Sequence, residues 1–167
     1  MLQRSELREA LKTITDPAKK RLRAPHGPWT RAVAFKHLYK ANPEPLYGGG
    51  AKTNGARFTP KGSFECVYLA QDPITALAEI ASIFTHPDWE KSERFTYPNT
   101  PPWTLFTVKG VIDNVLDLTD EATRHALGIL HLQEIAGHWR TLEKPPTQGL
   151  GLAAFENGSI KGIKYMV

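Results

Sequence analysis

Apolar residues at helical spacing open the chain: Leu7, Ala10, Leu11 and Ile14 share one face of Ser5 to Thr15, and Ser5 with Glu9 stands close to capping-box spacing. This predicts an amphipathic helix. Lys19 to Trp29 contains Pro25, Gly27 and Pro28 and reads as an irregular connection. Arg31 to Tyr39 mixes apolar and basic residues as a first strand would. Ala41 to Asn54, with two prolines and three consecutive glycines, reads as a flexible loop. The short apolar run Cys66 to Ala70, bounded by Lys61-Gly62 and Asp72-Pro73, predicts a buried strand over Glu65 to Ala70. Asp72 then suits an N-cap and Pro73 the first helical position, with Ile74, Leu77, Ala78 and Ala81 as one apolar stripe of a helix reaching Phe84.

Beyond that helix, His86 to Pro102 carries too many prolines to continue it and reads as a surface excursion. Leu105 to Val108 and Val111 to Leu118 predict strands. Thr119 or Asp120 can cap a helix over Glu121 to Leu130, which Leu132 to Trp139 extends or repeats. Gln148 to Asn157 is helical in pattern with Gly158 as its stop, and Ile160 to Val167 predicts a last strand. Helices and strands intermingle without a regular βαβ period, which favours an α+β fold.

Composition narrows the class. The chain has 167 residues, 41% of them apolar and 23% charged, which suits one soluble globular domain. No apolar run approaches the roughly 20 residues of a membrane span, and the first residues lack a signal peptide's apolar core, so a cytoplasmic location is expected. Cys66 is the single cysteine, which excludes an internal disulfide. The histidines show no paired metal spacing such as H-E-x-x-H, and no metal is expected. Lys and Arg number 21 against 17 Asp and Glu, a formal charge of +4. The excess is not clustered with aromatic residues, so it points to a pyrophosphate or an acidic protein surface and not to direct nucleic-acid binding.

The chemistry concentrates between Asn54 and Glu79. Arg57 follows a Gly-containing turn, Tyr68 stands on the predicted strand, and Glu79 lies beside the helical stripe, at intervals of eleven residues. A strand, turn and helix can bring three such side chains to one end of a sheet. Taken singly, each has an ordinary reading: a surface arginine, a core strand tyrosine, a solvated helix glutamate. Tyr47, beside the glycines, could reach a ligand as part of a lid. The GGG run itself lacks the spacing of a Rossmann or P-loop fingerprint.

The order of these residues resembles the RES domain family, the toxin half of bacterial pairs whose antitoxins are of the Xre type. The matching positions are Arg31 in TRAV, Gly55 and Arg57 in NGARFTPKG, Tyr68 in VYLA, and Ala76, Leu77 and Glu79 in TALAEI, with LDLTD at Leu116 to Asp120 and TQGLGLAAFENG at Thr147 to Gly158 further on. The resemblance spans most of the chain from Arg31. It implies a compact ADP-ribosyltransferase-like fold, a central, mostly antiparallel split sheet flanked by helices, as a single domain over 1–167 with 1–24 as an N-terminal helical extension. It also implies NAD as substrate, cleaved at the nicotinamide–ribose bond by a hydrolase, phosphorylase or ADP-ribosyl transferase, and a cognate antitoxin as partner. A homodimer and a higher complex with the antitoxin both stay open.

Under that resemblance Glu79 stabilises the oxocarbenium-like ribose, with Arg31 the second catalytic residue. Arg31, Arg57, Tyr68 and Tyr47 bind the dinucleotide, the arginines through forked hydrogen bonds to pyrophosphate. Lys40 is the alternative for the first-arginine role. The family's serine normally follows a motif like G-I-x-Y-P-S; in GIKYMV, Met166 and Val167 stand at the Pro and Ser positions. A catalytically inactive relative that binds a partner or nucleotide is therefore the alternative function.

Overall fold

The computed structural model describes residues 1–16, 25–39, 41–84, 102–137, 139 and 142–166, the side chains of 81–84 excepted. The expected excursion His86 to Pro102, most of the connection before Pro25, and Lys40 lie outside the described residues, apart from Pro102 itself. Within these residues the chain divides into two compact units.

The first unit comprises Met1–His26, Gly48–Cys66 and Val111–Val167. Its opening helix α1, Arg4–Ile14, buries Leu7, Leu11 and Ile14, the face that the sequence pattern marks. The cap differs from expectation. Gln3, not Ser5, is the N-cap, because the Glu6 carboxylate reaches back to the Gln3 amide at 2.8 Å and closes the capping box two residues earlier. Helix α1 packs on α6, Pro146–Asn157, and both Arg4 and Arg8 pair with Glu156, Arg8 at 2.6 Å. The segment expected as an N-terminal extension thus supplies three side chains to this unit's core, where they meet Leu118, Ile135 and Leu150.

Two expected strands shrink in this unit. Strand β3, Val115–Asp117, pairs in parallel with β4, Gly162–Lys164, so that Leu116 faces Ile163 and Asp117 faces Lys164. Asn114, with φ of 55°, breaks the extended run Val111 to Leu118 just before β3. The helix after β3 is also shorter than expected. Asp120 caps α4, Glu121–Ala126, by accepting from the Thr123 amide at 2.8 Å. The amides of Leu127 and Ile129 then both turn onto the Arg124 carbonyl, which ends the helix and lets Leu127 and Ile129 enter the core. A separate short helix α5, Gln133–Ala136, follows. Helix α2, Gly49–Asn54, corrects the flexible loop expected there: its last turn closes with the Gly55 amide on the Ala51 carbonyl and the Asn54 side chain on the Gly50 carbonyl.

The second unit comprises Gly27–Tyr47 and Val67–Gly110. Strand β1, Trp29–Ala34, pairs antiparallel with β2, Trp103–Val108, placing Arg31 opposite Phe106. The expected strand Arg31 to Tyr39 starts two residues earlier and gives way at Phe35 to a 3-10 turn, Phe35–His37. Helix α3, Pro73–Phe84, has the predicted extent and cap: the Asp72 carboxylate accepts from the Thr75 amide at 2.9 Å. Its buried face is not the predicted one. Ala76 and Ile80 turn inward, while Ile74 is 79% and Leu77 51% exposed. Helix α3 packs on β1.

The buried strand expected over Glu65 to Ala70 does not form. Only Ala70 joins the sheet, exchanging both backbone hydrogen bonds with Thr30 at 2.8 Å, and no residue of the run is buried. The boundary between the two units falls inside it, after Cys66. A run divided in this way cannot lay all its residues on one sheet edge.

Two predictions follow from this packing. A Cβ on Gly151 would stand 1.8 Å from the Phe58 carbonyl oxygen, so Gly151→Ala should lower the free energy of unfolding in urea by at least about 2 kcal/mol. For Asp117, burial pushes the carboxyl upward, but the Thr119 hydroxyl and amide and then the Lys164 ammonium outweigh it, leaving the group below the ordinary 3.8. A depressed folded-state pKa gives stability present above 3.8 and lost as pH falls through the folded value. Asp117→Asn should therefore be less stable than the parent chain at neutral pH, with the difference closing as acid titration proceeds below that value.

Candidate functional site

Four of the expected site residues belong to the second unit. Arg31 leaves β1 and spans two segments: Nη1 donates to the Tyr68 carbonyl at 2.9 Å and Nη2 to the Tyr47 carbonyl at 3.0 Å. The guanidinium thus gathers β1, the segment before α2 and the segment before α3 around one cation. Its planar fork suits this task, since two donors at fixed angles meet two carbonyls that are far apart in sequence. The Tyr68 carbonyl that it meets lies in the run before α3, two residues ahead of Ala70, which joins the sheet. Tyr47 is further fixed by its ring, which stacks on His37 with centroids 5.0 Å apart.

Glu79 lies on α3, the helix that packs on the strand carrying Arg31. It is half-buried, beside the inward-facing Ala76 and Ile80 and not on the exposed side with Ile74. A carboxylate at such an edge can meet a ligand while keeping part of its hydration. The structure therefore brings Arg31, Tyr47 and Tyr68 together through backbone contacts and sets Glu79 on the helix covering the same strand.

Arg57 belongs to the first unit. Its turn begins at Gly55, whose φ of 79° favours glycine, and closes with paired backbone hydrogen bonds between Ala56 and Thr59. Nη1 of Arg57 donates to the carbonyls of Ile135 at 2.7 Å and Gly137 at 3.0 Å. These carbonyls belong to the C-terminal end of α5, where a cation also meets the negative pole of the helix. The guanidinium lies over the Tyr165 ring, 5.6 Å from its centroid, and that ring meets Phe58 edge-on at 5.0 Å. Nε is buried without an acceptor among the described residues. Tyr165 was not marked by the sequence pattern, where it reads as one more residue of a last strand; only its spacing from Gly162 in the family-like GIKYMV hinted at a role.

The first unit also contains a cavity of about 260 Å³, lined in part by Lys61, Trp139, Glu143 and Gln148. None of the residues expected to bind the dinucleotide lines it. Among the described residues no group of three metal-ligating side chains occurs, and no helix is long and apolar enough to cross a membrane.

These features define an α+β protein with a strand-borne arginine bracing two loops and a carboxylate on the helix above that strand. The chain belongs to the RES domain family, whose profile matches residues 22–166. Its fold is similar to a chain in the crystal structure of the Mycobacterium tuberculosis MbcT-MbcA toxin-antitoxin complex, with a TM-score of 0.61 and 22% identity over 90% of this chain and 71% of that one. At that identity the likeness establishes the fold. A comparison with curated proteins gives no match.

The bracing role of Arg57 can be measured directly. Arg57→Met keeps most of the stem and removes the donors, so it should lower stability by about 1.5–3 kcal/mol in urea, the range for hydrogen bonds to a charged group. An unchanged midpoint would show that the Ile135 and Gly137 contacts carry no weight in solution.

Proposed function

We propose that this chain is the toxin of a toxin–antitoxin pair and consumes NAD by breaking the nicotinamide–ribose bond. Membership of the RES domain family supports the reading, as does the toxin-antitoxin complex to which its fold is similar. The observation that carries the site is the placement of Glu79 on the helix packed against the strand whose Arg31 gathers Tyr47 and Tyr68. Departure of nicotinamide leaves an oxocarbenium-like ribose, and a fixed carboxylate beside it stabilises charge that appears only in the transition state.

In this reading Arg31 has a positioning part. Both terminal nitrogens are engaged by backbone carbonyls, so the residue acts by holding the Tyr47 and Tyr68 segments in place and by lending the site positive charge. The Tyr47 and Tyr68 rings are then the groups offered to nicotinamide or ribose. Pyrophosphate binding by Arg57 would fall to Nη2, because Nη1 serves the α5 carbonyls. The acceptor of the ribosyl carbon is water, phosphate or a macromolecule, which makes the protein a hydrolase, phosphorylase or transferase respectively. The partner in this reading is a cognate antitoxin of the Xre type that covers the site, and the compartment is the cytoplasm.

The second reading is a family member that binds nucleotide or partner without turnover, favoured by Met166 and Val167 at the family's Pro and Ser positions. Nicotinamide release from NAD separates the two. The enzymatic reading predicts steady release that falls by about 100-fold or more in Glu79→Gln, the scale for losing a preorganised transition-state partner. Equal rates for both proteins, with NAD binding retained in calorimetry, would establish the silent reading.

A further inference from the structure

Strand β4 ends at Lys164, and the next residue, Tyr165, sets its ring against both residues of the Arg57-Phe58 pair. Phe58 meets the ring edge-on, with centroids 5.0 Å apart and planes at 62°. The Arg57 guanidinium lies over it at 5.6 Å, within the reach of a cation–π contact. Phe58 is buried in the core cluster, and Tyr165 packs partly buried against that cluster, so the ring has a rigid backing. The parallel pairing of β4 with β3 holds the chain that delivers it. The hydrogen bonds of Arg57 leave one motion unrestrained. The carbonyls of Ile135 and Gly137 are both met by the same nitrogen, Nη1, at 2.7 and 3.0 Å. A planar group tethered at one corner can still tilt about that corner. The Tyr165 ring beneath the guanidinium opposes the tilt. With Nη1 committed to carbonyls and Nε buried, an anion would meet this half-buried arginine at its Nη2 end, and the direction of that end follows from the tilt.

We propose that Tyr165 is a positioning residue for diphosphate binding: its ring fixes the tilt of the Arg57 guanidinium and so aims Nη2 at the anion. The proposal rests on the reading in which Arg57 takes the pyrophosphate of NAD. Tyr165 acts through Arg57 and not on the reacting carbon. The negative face of its ring favours the cation in the bound orientation before any ligand arrives, which lowers the ordering cost of binding. Such preorganisation is felt in ligand affinity and not in the bond-breaking step, because the diphosphate contact is alike in ground state and transition state.

Calorimetry of the intact chain with ADP-ribose, which carries the diphosphate and has no nicotinamide to lose, tests the proposal. Tyr165→Phe is the reference, since it keeps the ring whatever the hydroxyl contributes to the fold. Against it, Tyr165→Leu should weaken ADP-ribose binding by about threefold to tenfold, the scale of a partly desolvated cation–π contact. Phenylalanine carrying successive ring fluorines at position 165 keeps the shape and weakens the negative face, so affinity should fall stepwise. That series decides the matter should Tyr165→Leu not fold. In steady-state NAD turnover the same variants should raise KM by the same factor, with kcat within about twofold of the reference. Equal affinity in Tyr165→Leu and Tyr165→Phe, no trend along the fluorine series, a fall in kcat at constant KM, or a parent chain that does not bind ADP-ribose would overturn the proposal. Absence of nicotinamide release, with ADP-ribose binding that still follows the ring, would remove the NAD-cleaving reading alone.

Discussion

The close approach of Gly151 to the Phe58 carbonyl is the constraint from which the first unit is built. Because α6 carries no side chain at that point, it can lie directly on the turn Gly55 to Thr59. Phe58 is then seated in the core beside Leu150, and the next residue back, Arg57, is presented to the end of α5. Any side chain at 151 would force the helix off the turn, and both the core contact and the guanidinium contacts would shift with it. A packing requirement at a residue with no chemistry of its own thus determines where a charged residue points.

Both arginines of the family pattern spend hydrogen-bonding capacity on backbone carbonyls. Arg31 engages Tyr47 and Tyr68, and Arg57 engages Ile135 and Gly137. In each case the carbonyls come from segments without regular pairing: a loop, a half-paired run and a helix end. A guanidinium is the side chain that can satisfy two such acceptors in one plane while remaining charged. A motif arginine here therefore orders backbone segments that are far apart in sequence.

Much of the fold was legible in the sequence where a local signal agreed with tertiary packing. Leu7, Leu11 and Ile14 on α1, the Asp72 cap of α3, the Asp120 cap of α4 and the Gly158 end of α6 are of this kind. The failures share a cause. The apolar run Cys66 to Ala70 has the composition of a buried strand, yet the unit boundary divides it, and composition carries no record of which unit a residue joins. On α3 the larger Ile74 and Leu77 promised the buried face, but the approach of β1 selects Ala76 and Ile80. The glycines before Asn54 suggested a loop, and hydrogen bonds closing at Gly55 make a helical turn of them. At the candidate site, residue types were readable, but the partners of Arg31 and Arg57 were not, because backbone carbonyls leave no mark in a sequence.

A crystal structure of the chain with a non-cleavable NAD analogue tests the central claim most directly. The account predicts the nicotinamide ribose against the Glu79 carboxylate, with Arg31 still donating to the Tyr47 and Tyr68 carbonyls. An analogue bound away from Glu79, or an Arg31 that releases both carbonyls to grip the phosphates, would contradict it.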